Sequence, residues 1–381
     1  MSWATVRFGD AGRWLSGGTP RTSEPTYWGG DLPWLSAASL TEFRIRDAER
    51  RVSRLGAENG TRLVPPGTLL MVVRGMSLKT EFRMGITDRE VAFGQDCKAV
   101  LPHERFDPLF LAYAVRAQSR EVLDLVDEAG HGTGRLQMDL LQELPIPSPP
   151  KHEQRGIAAT LGALDDKIDS NRRAVDIAAS LGESLFRDSV GAKRVLSDVA
   201  NVTMGSSPPG STYNEDRVGL PFYQGVRDFG VRHPSRRVWT HQPVRTAGAN
   251  ATLISVRAPV GRLNRATELC CIGRGLASVT SKYPSVCFYA LLAADSVWRP
   301  FEQEGTVFGS MNRQSLTSAP VPWPEMREID SLEARLASLD SEITSLTEEN
   351  MKLGSLRDAL LPELLSGRIR VPEAAAVLVS Q

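Results

Sequence analysis

Five histidines and four cysteines in 381 residues leave this chain few of the side chains that most enzyme and metal sites use. The histidines, at 103, 131, 152, 233 and 241, show no ligand spacing. Cys97, Cys270, Cys271 and Cys287 form no CxxC pair, which argues against structural zinc and for a reducing cytoplasm. The chain has no GxxxxGK(S/T) phosphate loop and no HExxH zinc helix. Ser148-Pro149-Pro150 and Ser207-Pro208-Pro209 lack the flanking residues that an amino-methyltransferase requires. Gly130 to Arg135 carries alternate glycines outside any strand-to-helix context, so it reads as a loop and not as a nucleotide cradle. No apolar run is long enough to span a bilayer. The first fourteen residues hold Arg7, Asp10 and Arg13 where a secretory signal would be apolar. The expectation is a cytoplasmic, non-catalytic protein without metal or cofactor of its own.

Net charge is also missing, since 45 basic residues balance 45 acidic ones. The balance is not local. Residues 1–150 hold 18 basic and 19 acidic residues, and 151–190 hold 6 and 7. Residues 191–325 hold 15 against 9, and 326–381 hold 6 against 10. A basic segment suits a polyanion partner, while overall neutrality suggests that the grip is shared with other subunits.

The chain does contain a duplication. Leu161, Leu164, Asp165, Ile168, Ser170, Ser180, Leu181 and Leu185 recur 175 residues later as Leu336, Leu339, Asp340, Ile343, Ser345, Ser355, Leu356 and Leu360. Pro145-Ile146-Pro147-Ser148-Pro149 recurs as Pro320-Val321-Pro322-Trp323-Pro324, Gly134 as Gly309 and Gly130 as Gly305. One constant offset over some sixty residues marks a repeated unit. Further upstream the offset is 188: Gly17-Gly18-Thr19-Pro20 corresponds to Gly205-Ser206-Ser207-Pro208, and Leu32 to Leu35 correspond to Leu220 to Tyr223. The globular parts have therefore diverged in loop length while the helical parts have not. That pattern suits two modules reading different targets.

Both copies of the 175-offset stretch read as long helices with a coiled-coil seam, in steps of four and three. The first seam is Ile157, Leu161, Leu164, Ile168, Asn171 and Val175, followed by Ala178. The second is Leu332, Leu336, Leu339, Ile343, Leu346 and Asn350, followed by Leu353. An antiparallel pair with Asn171 level with Asn350 also sets Ile157 against Leu364, Val175 against Leu346 and Leu185 against Leu336. It brings Arg172 and Arg173 level with Glu349 and Glu348. The Asp165-Asp166 carboxylates read as a solvated helix face.

The globular parts read as mixed α/β. Strands are expected over Thr68 to Arg74 and Val91 to Phe93, and a helix over Asp107 to Val126. In the second copy, strands fall at Thr252 to Arg257 and Cys270 to Gly273, and a helix at Ser285 to Ser296. The division is a first domain over 1–150, a spacer helix over 151–190, a second domain over 191–325, and a second helix and tail over 326–381.

The residues resemble the specificity (S) subunit of type I restriction–modification systems. The resemblance rests on Gly17-Gly18-Thr19-Pro20, on Tyr27-Trp28-Gly29-Gly30-Asp31-Leu32-Pro33-Trp34, on Pro145-Ile146-Pro147-Ser148-Pro149-Pro150-Lys151-His152-Glu153-Gln154, and on Leu360-Leu361-Pro362-Glu363-Leu364-Leu365-Ser366-Gly367. The second helix entry departs from the pattern, since Glu325-Met326-Arg327-Glu328 lacks the Glu-Gln pair. The resemblance implies an α/β fold of two target recognition domains with pseudo-two-fold internal duplication, joined by two long helices in an antiparallel coiled coil. It implies double-stranded DNA and two modification (methyltransferase) subunits as partners, with restriction (ATP-dependent nuclease) subunits where a nuclease is present, and no membrane. S-adenosylmethionine and ATP with magnesium would sit on those partners. Base contact requires Arg, Lys, Gln, Asn, Ser or Thr beside the repeated turns. The candidates are Thr19, Arg21, Thr22, Lys79, Arg83, Gln95 and Arg135 in the first domain. In the second they are Ser207, Gln224, Arg227, Arg257, Arg262, Arg274 and Asn312. For the strand-end arginines Arg74 and Arg257 a salt bridge within the domain is the competing assignment. For the chain as a whole it is a coiled-coil adaptor that binds proteins and not DNA.

Overall fold

The computed structural model describes residues 3–129, 132–303 and 309–371. Gly130, His131, Gly305 and the tail from residue 372 therefore lie outside the described residues. The chain forms two compact units, Met1–Lys167 with Lys352–Gln381, and Ile168–Met351. Both are mixed α/β, and each contains part of both long helices, Lys151–Asp188 and Ile329–Ser366.

In the first unit the strands Gly12–Ser16, Cys97–Pro102, Leu69–Val72, Met84–Thr87 and Arg44–Ile45 form one sheet, in that order. A second sheet places Val91–Phe93 parallel to the end of Trp28–Leu35, with Ala92 opposite Trp34 and Phe93 opposite Leu35. Leu69, Leu70, Met71 and Val72 are buried on both faces, as a continuous apolar run requires. The helix expected over Asp107 to Val126 is instead two, Pro108–Arg116 and Ser119–Leu123. Val126 opens a strand that pairs with Leu136, ten residues on, a pairing that helical periodicity does not reveal.

The second unit repeats the plan. Asn201–Met204, Leu276–Thr280, Thr252–Ser255 and Leu263–Arg265 form one sheet. Cys270–Ile272 runs parallel to Leu220–Tyr223, with Phe222 opposite Cys271 and Tyr223 opposite Ile272. The helix expected from Ser285 spans Pro284–Ala293.

The helix seams serve two purposes. In the first unit Ile157 and Leu161 join Leu361, Leu364 and Leu365 in the domain core with Phe110 and Tyr113. In the second, Phe186, Leu332 and Leu336 share a core with Tyr289 and Trp298. Among the described residues, Val175, Ala178 and Ile343, flanked by Ala179, Leu339 and Leu346, form a separate helix-to-helix cluster. Burying each such side chain contributes about 1.5–3 kcal/mol, so most of the helix anchoring comes from the domain cores. Within each unit rising numbers on one helix meet falling numbers on the other, which is an antiparallel pairing. The expected register holds to within one residue, but the two asparagines do not bond each other. Asn171 Nδ2 donates to Glu349 Oε2 at 2.8 Å, one residue away from the expected partner, and Asn350 Oδ1 is buried with no partner. Arg172 pairs with Asp169 on its own helix, at 3.7 Å.

Asp165 is not a solvated surface group. It is 6% exposed, and its carboxylate accepts from Tyr113 Oη at 2.6 Å, Arg116 Nη1 at 3.3 Å and Arg357 Nη1 at 2.6 Å. The repeat equivalent Asp340 is also 6% exposed and binds Arg232 and Arg265. A buried carboxylate is tolerated when its lone pairs meet charged donors, and both copies satisfy that condition.

The helix entries show how the motif works. Gln154, 1% exposed, donates from Nε2 to Arg105 O and Pro149 O, and its Oε1 accepts from Asp107 N at 2.7 Å. Asp107 in turn caps the next helix through Leu109 N and Phe110 N. The second copy lacks that glutamine. There Glu333 accepts from Ser285 N and Val286 N at 3.0 and 2.9 Å and ties the long helix to the start of Pro284–Ala293.

Candidate nucleic-acid interface

The same polar corner is built once in each unit, on equivalent backbone hydrogen bonds. In the first unit Gly18 N donates to Phe93 O, and Gly94 N donates to Leu35 O. In the second Ser206 N donates to Ile272 O, and Gly273 N donates to Tyr223 O. The glycine turn thus lies against the exit of the parallel strand pair. A Cβ at Gly17 would sit 2.3 Å from Phe93 O, and one at Gly205 only 2.1 Å from Gly273 O, so neither position accepts a side chain.

The third side of the corner is a strand end. Val73 N and Arg74 N donate to Asp96 O, and Val256 N donates to Gly275 O. Arg74 therefore stands beside Gln95, and Arg257 beside Arg274. A cross-strand bond closes each corner, from Leu136 N to Val73 O and from Met311 N to Val256 O. It places Arg135 opposite Arg74 in strand register, and Ser310 opposite Arg257.

Thirteen of the fourteen candidate residues are exposed, and Arg83 is half-buried. The corners gather Thr19, Gln95 and Arg135 in the first unit, and Ser207, Gln224, Arg257 and Arg274 in the second. Lys79 adjoins the first corner beside Gly132. Arg21 and Thr22 follow the glycine turn, Arg262 lies across the turn that begins at Ser255, and Arg227 lies in the turn Val226–Asp228. Three candidates hold local structure. Arg83 binds Glu81 and Ala38 O, Asn312 caps Ser315 N, and Ser207 Oγ accepts from Arg274 N. Neither Arg74 nor Arg257 has an ion-pair partner among the described residues.

Missed from sequence were the stack of Arg50 on Trp28 and Trp34, at 4.0 and 4.9 Å from the ring centroids, and the buried aspartate hubs. The aspartates had a readable signal, because Asp165 and Asp340 occupy the same place in the repeat. All four cysteines are buried and unpaired, and burial pushes the Cys97, Cys270 and Cys287 thiols up to about 12, away from nucleophilic use. Among the described residues no group of His, Cys, Asp and Glu could hold a metal, and no helix is long and apolar enough to cross a membrane.

Residues 1–176 match the model of the type I restriction modification DNA specificity domain. The chain is 27% identical over 294 positions to a Methanocaldococcus jannaschii protein assigned as the MjaX type I restriction enzyme specificity subunit, covering 70% of this chain and 69% of that one. It is 21% identical to the MjaIX specificity subunit of the same organism, over 97% of this chain and 94% of its relative. The fold is similar to the type I restriction-modification S subunit of M. genitalium, with a TM-score of 0.66 and 16% identity over 95% of this chain and 96% of that one. Residues 1–176 are thus similar to the type I restriction modification DNA specificity domain, and the chain as a whole is similar to the type I specificity subunits.

Proposed function

We propose that this chain is the non-catalytic DNA-reading subunit of a type I restriction–modification complex. Residues 1–150 and 191–325 act as two target recognition domains, each reading one half of a bipartite, asymmetric site. The helices set the distance between the halves and dock two methyltransferase subunits, which bring S-adenosylmethionine. Restriction subunits, where present, bring ATP-driven cleavage. The candidate residues at the two corners supply the base and backbone contacts, and the complex works in the cytoplasm.

The observation that carries this reading is the twice-built corner. Its backbone frame is the same in both units while the side chains differ, as two half-sites of different sequence require. A good bidentate contact supplies about 1–3 kcal/mol of discrimination, so a few such side chains per corner suffice. The test is adenine methylation mapped across the host genome with and without the gene. A split motif methylated only when the gene is present supports the reading. An unchanged methylome would make the chain a coiled-coil adaptor, and methyl transfer by the purified chain alone would contradict its non-catalytic role.

A further inference from the structure

We infer that Arg74 and Arg257 are matched phosphate-gripping residues, one per domain, and that sequence discrimination comes from the residues around them. The inference rests on the DNA-reading role proposed above. Two half-sites of different sequence share only the sugar–phosphate backbone. A side chain placed identically in two diverged domains therefore has one target common to both, a phosphodiester. Side chains that differ at equivalent places are free to read bases.

The corner residues divide along that line. Arg74 and Arg257 occupy the same place: each lies two residues beyond a buried strand, Leu69–Val72 or Thr252–Ser255, beside the bond from Val73 N to Asp96 O or from Val256 N to Gly275 O. Both are exposed, and neither guanidinium has a partner among the described residues. A firmly hydrogen-bonded backbone under an uncommitted cation is a pre-organised anion contact. The residues opposite them in register differ, Arg135 against Ser310. So do their loop neighbours, Gln95 against Arg274. In the first corner Arg135 faces Arg74, an arrangement of like charges that is unfavourable across a strand pair. Asp127 flanks Arg135 on the other side, but its carboxylate accepts from Gln137 Nε2 at 2.8 Å. A phosphate held by Arg74 relieves the repulsion and leaves Arg135 free to face the bases.

The test uses the full chain with its methyltransferase subunits and duplexes that carry the methylome-defined target, single-base variants of each half, or scrambled sequence. Binding is measured over a range of KCl concentrations. For Arg74→Ala and Arg257→Ala we expect affinity to fall by a similar factor on every duplex. The slope of log affinity against log salt should shrink by about one for each variant. Arg74→Lys and Arg257→Lys should bind nearly as wild type, because a phosphate accepts a point charge, whereas a bidentate contact to a base edge depends on the planar guanidinium fork. Arg135→Ser and Gln95→Ala should change which bases the first half prefers. Loss confined to the cognate duplex, with no rescue by lysine, would show that the two arginines read bases and would overturn the inference. Unchanged affinity in both alanine variants would also overturn it. Failure of the wild-type complex to prefer its target over scrambled duplex would instead overturn the DNA-reading role itself.

Discussion

Arg357, near the end of the second long helix, places Nη1 2.6 Å from the Asp165 carboxylate of the first. Tyr113 and Arg116 of the domain meet the same carboxylate, so one buried group ties both helices to the first unit. Removing one partner of a buried ion pair costs about 3–5 kcal/mol. Asp165→Asn should therefore lower stability by about 3 kcal/mol in urea unfolding, and Asp340→Asn should do the same through Arg232 and Arg265. Asp166 serves as the control. Its side chain is 58% exposed and 3.8 Å from Arg44, so Asp166→Asn should change stability by less than about 1 kcal/mol. Equal effects at 165 and 166 would refute the hub.

Gly182 lies on the first long helix against Tyr289, and a Cβ there would come within 2.2 Å of the Tyr289 hydroxyl. Alanine in a helix normally stabilises by up to about 1 kcal/mol over glycine. Here overpacking, at about 1–3 kcal/mol, outweighs that gain. Gly182→Ala should destabilise the protein, and adding Tyr289→Phe should recover only part of the loss, because the ring carbon Cζ would still lie 2.5 Å from the new Cβ. A double-mutant cycle measures the coupling, and additive effects would contradict the contact.

Burial holds the His233 imidazole below its ordinary 6.5, with Arg232 and Arg265 adding to the effect and Asp340 and the Arg265 carbonyl opposing it. Its Nε2 lies 2.8 Å from Thr344 Oγ1 of the second helix. The unfolded chain takes up a proton below pH 6.5 that the folded chain resists. The contribution is therefore complete above that pH and lost as pH falls through it, with a slope of at most about 1.4 kcal/mol per pH unit. Wild type should lose stability between neutral pH and pH 5 faster than His233→Gln. Parallel profiles would refute the assignment.

If the helices act as the ruler between half-sites, their length sets the spacer. Seven residues inserted into both helices at matched seam positions keep the register and add about 10 Å. At about 3.4 Å per base pair, the preferred spacer should grow by about three base pairs with the helices lying along the DNA. Methylome motifs report it directly, and an unchanged spacer would remove the ruler.

The sequence revealed most where a repeat or a continuous apolar run carried the signal. The constant offset exposed the duplication, and Val91 to Phe93 and Thr252 onward formed strands where expected. It was less informative where a specific pairing or side-chain contact, and not a periodic pattern, decides the outcome. Val126 left its helical pattern to pair with Leu136, and Asn171 found Glu349 in place of Asn350, a choice made by side-chain geometry within one helical turn. Asp165 looked like surface because a helix pattern does not show that Tyr113, Arg116 and Arg357 converge on it. At the corners the frame was visible in the repeated glycine turns, but the free guanidiniums of Arg74 and Arg257 required coordinates.

The most direct test of the two-reader account is exchange of residues 191–325 for the second domain of a homologue, followed by methylome sequencing of the host. Two independent readers on one scaffold predict a motif with one half replaced, the other half intact and adenine methylation retained. A motif changed in both halves, or in neither, would contradict the account.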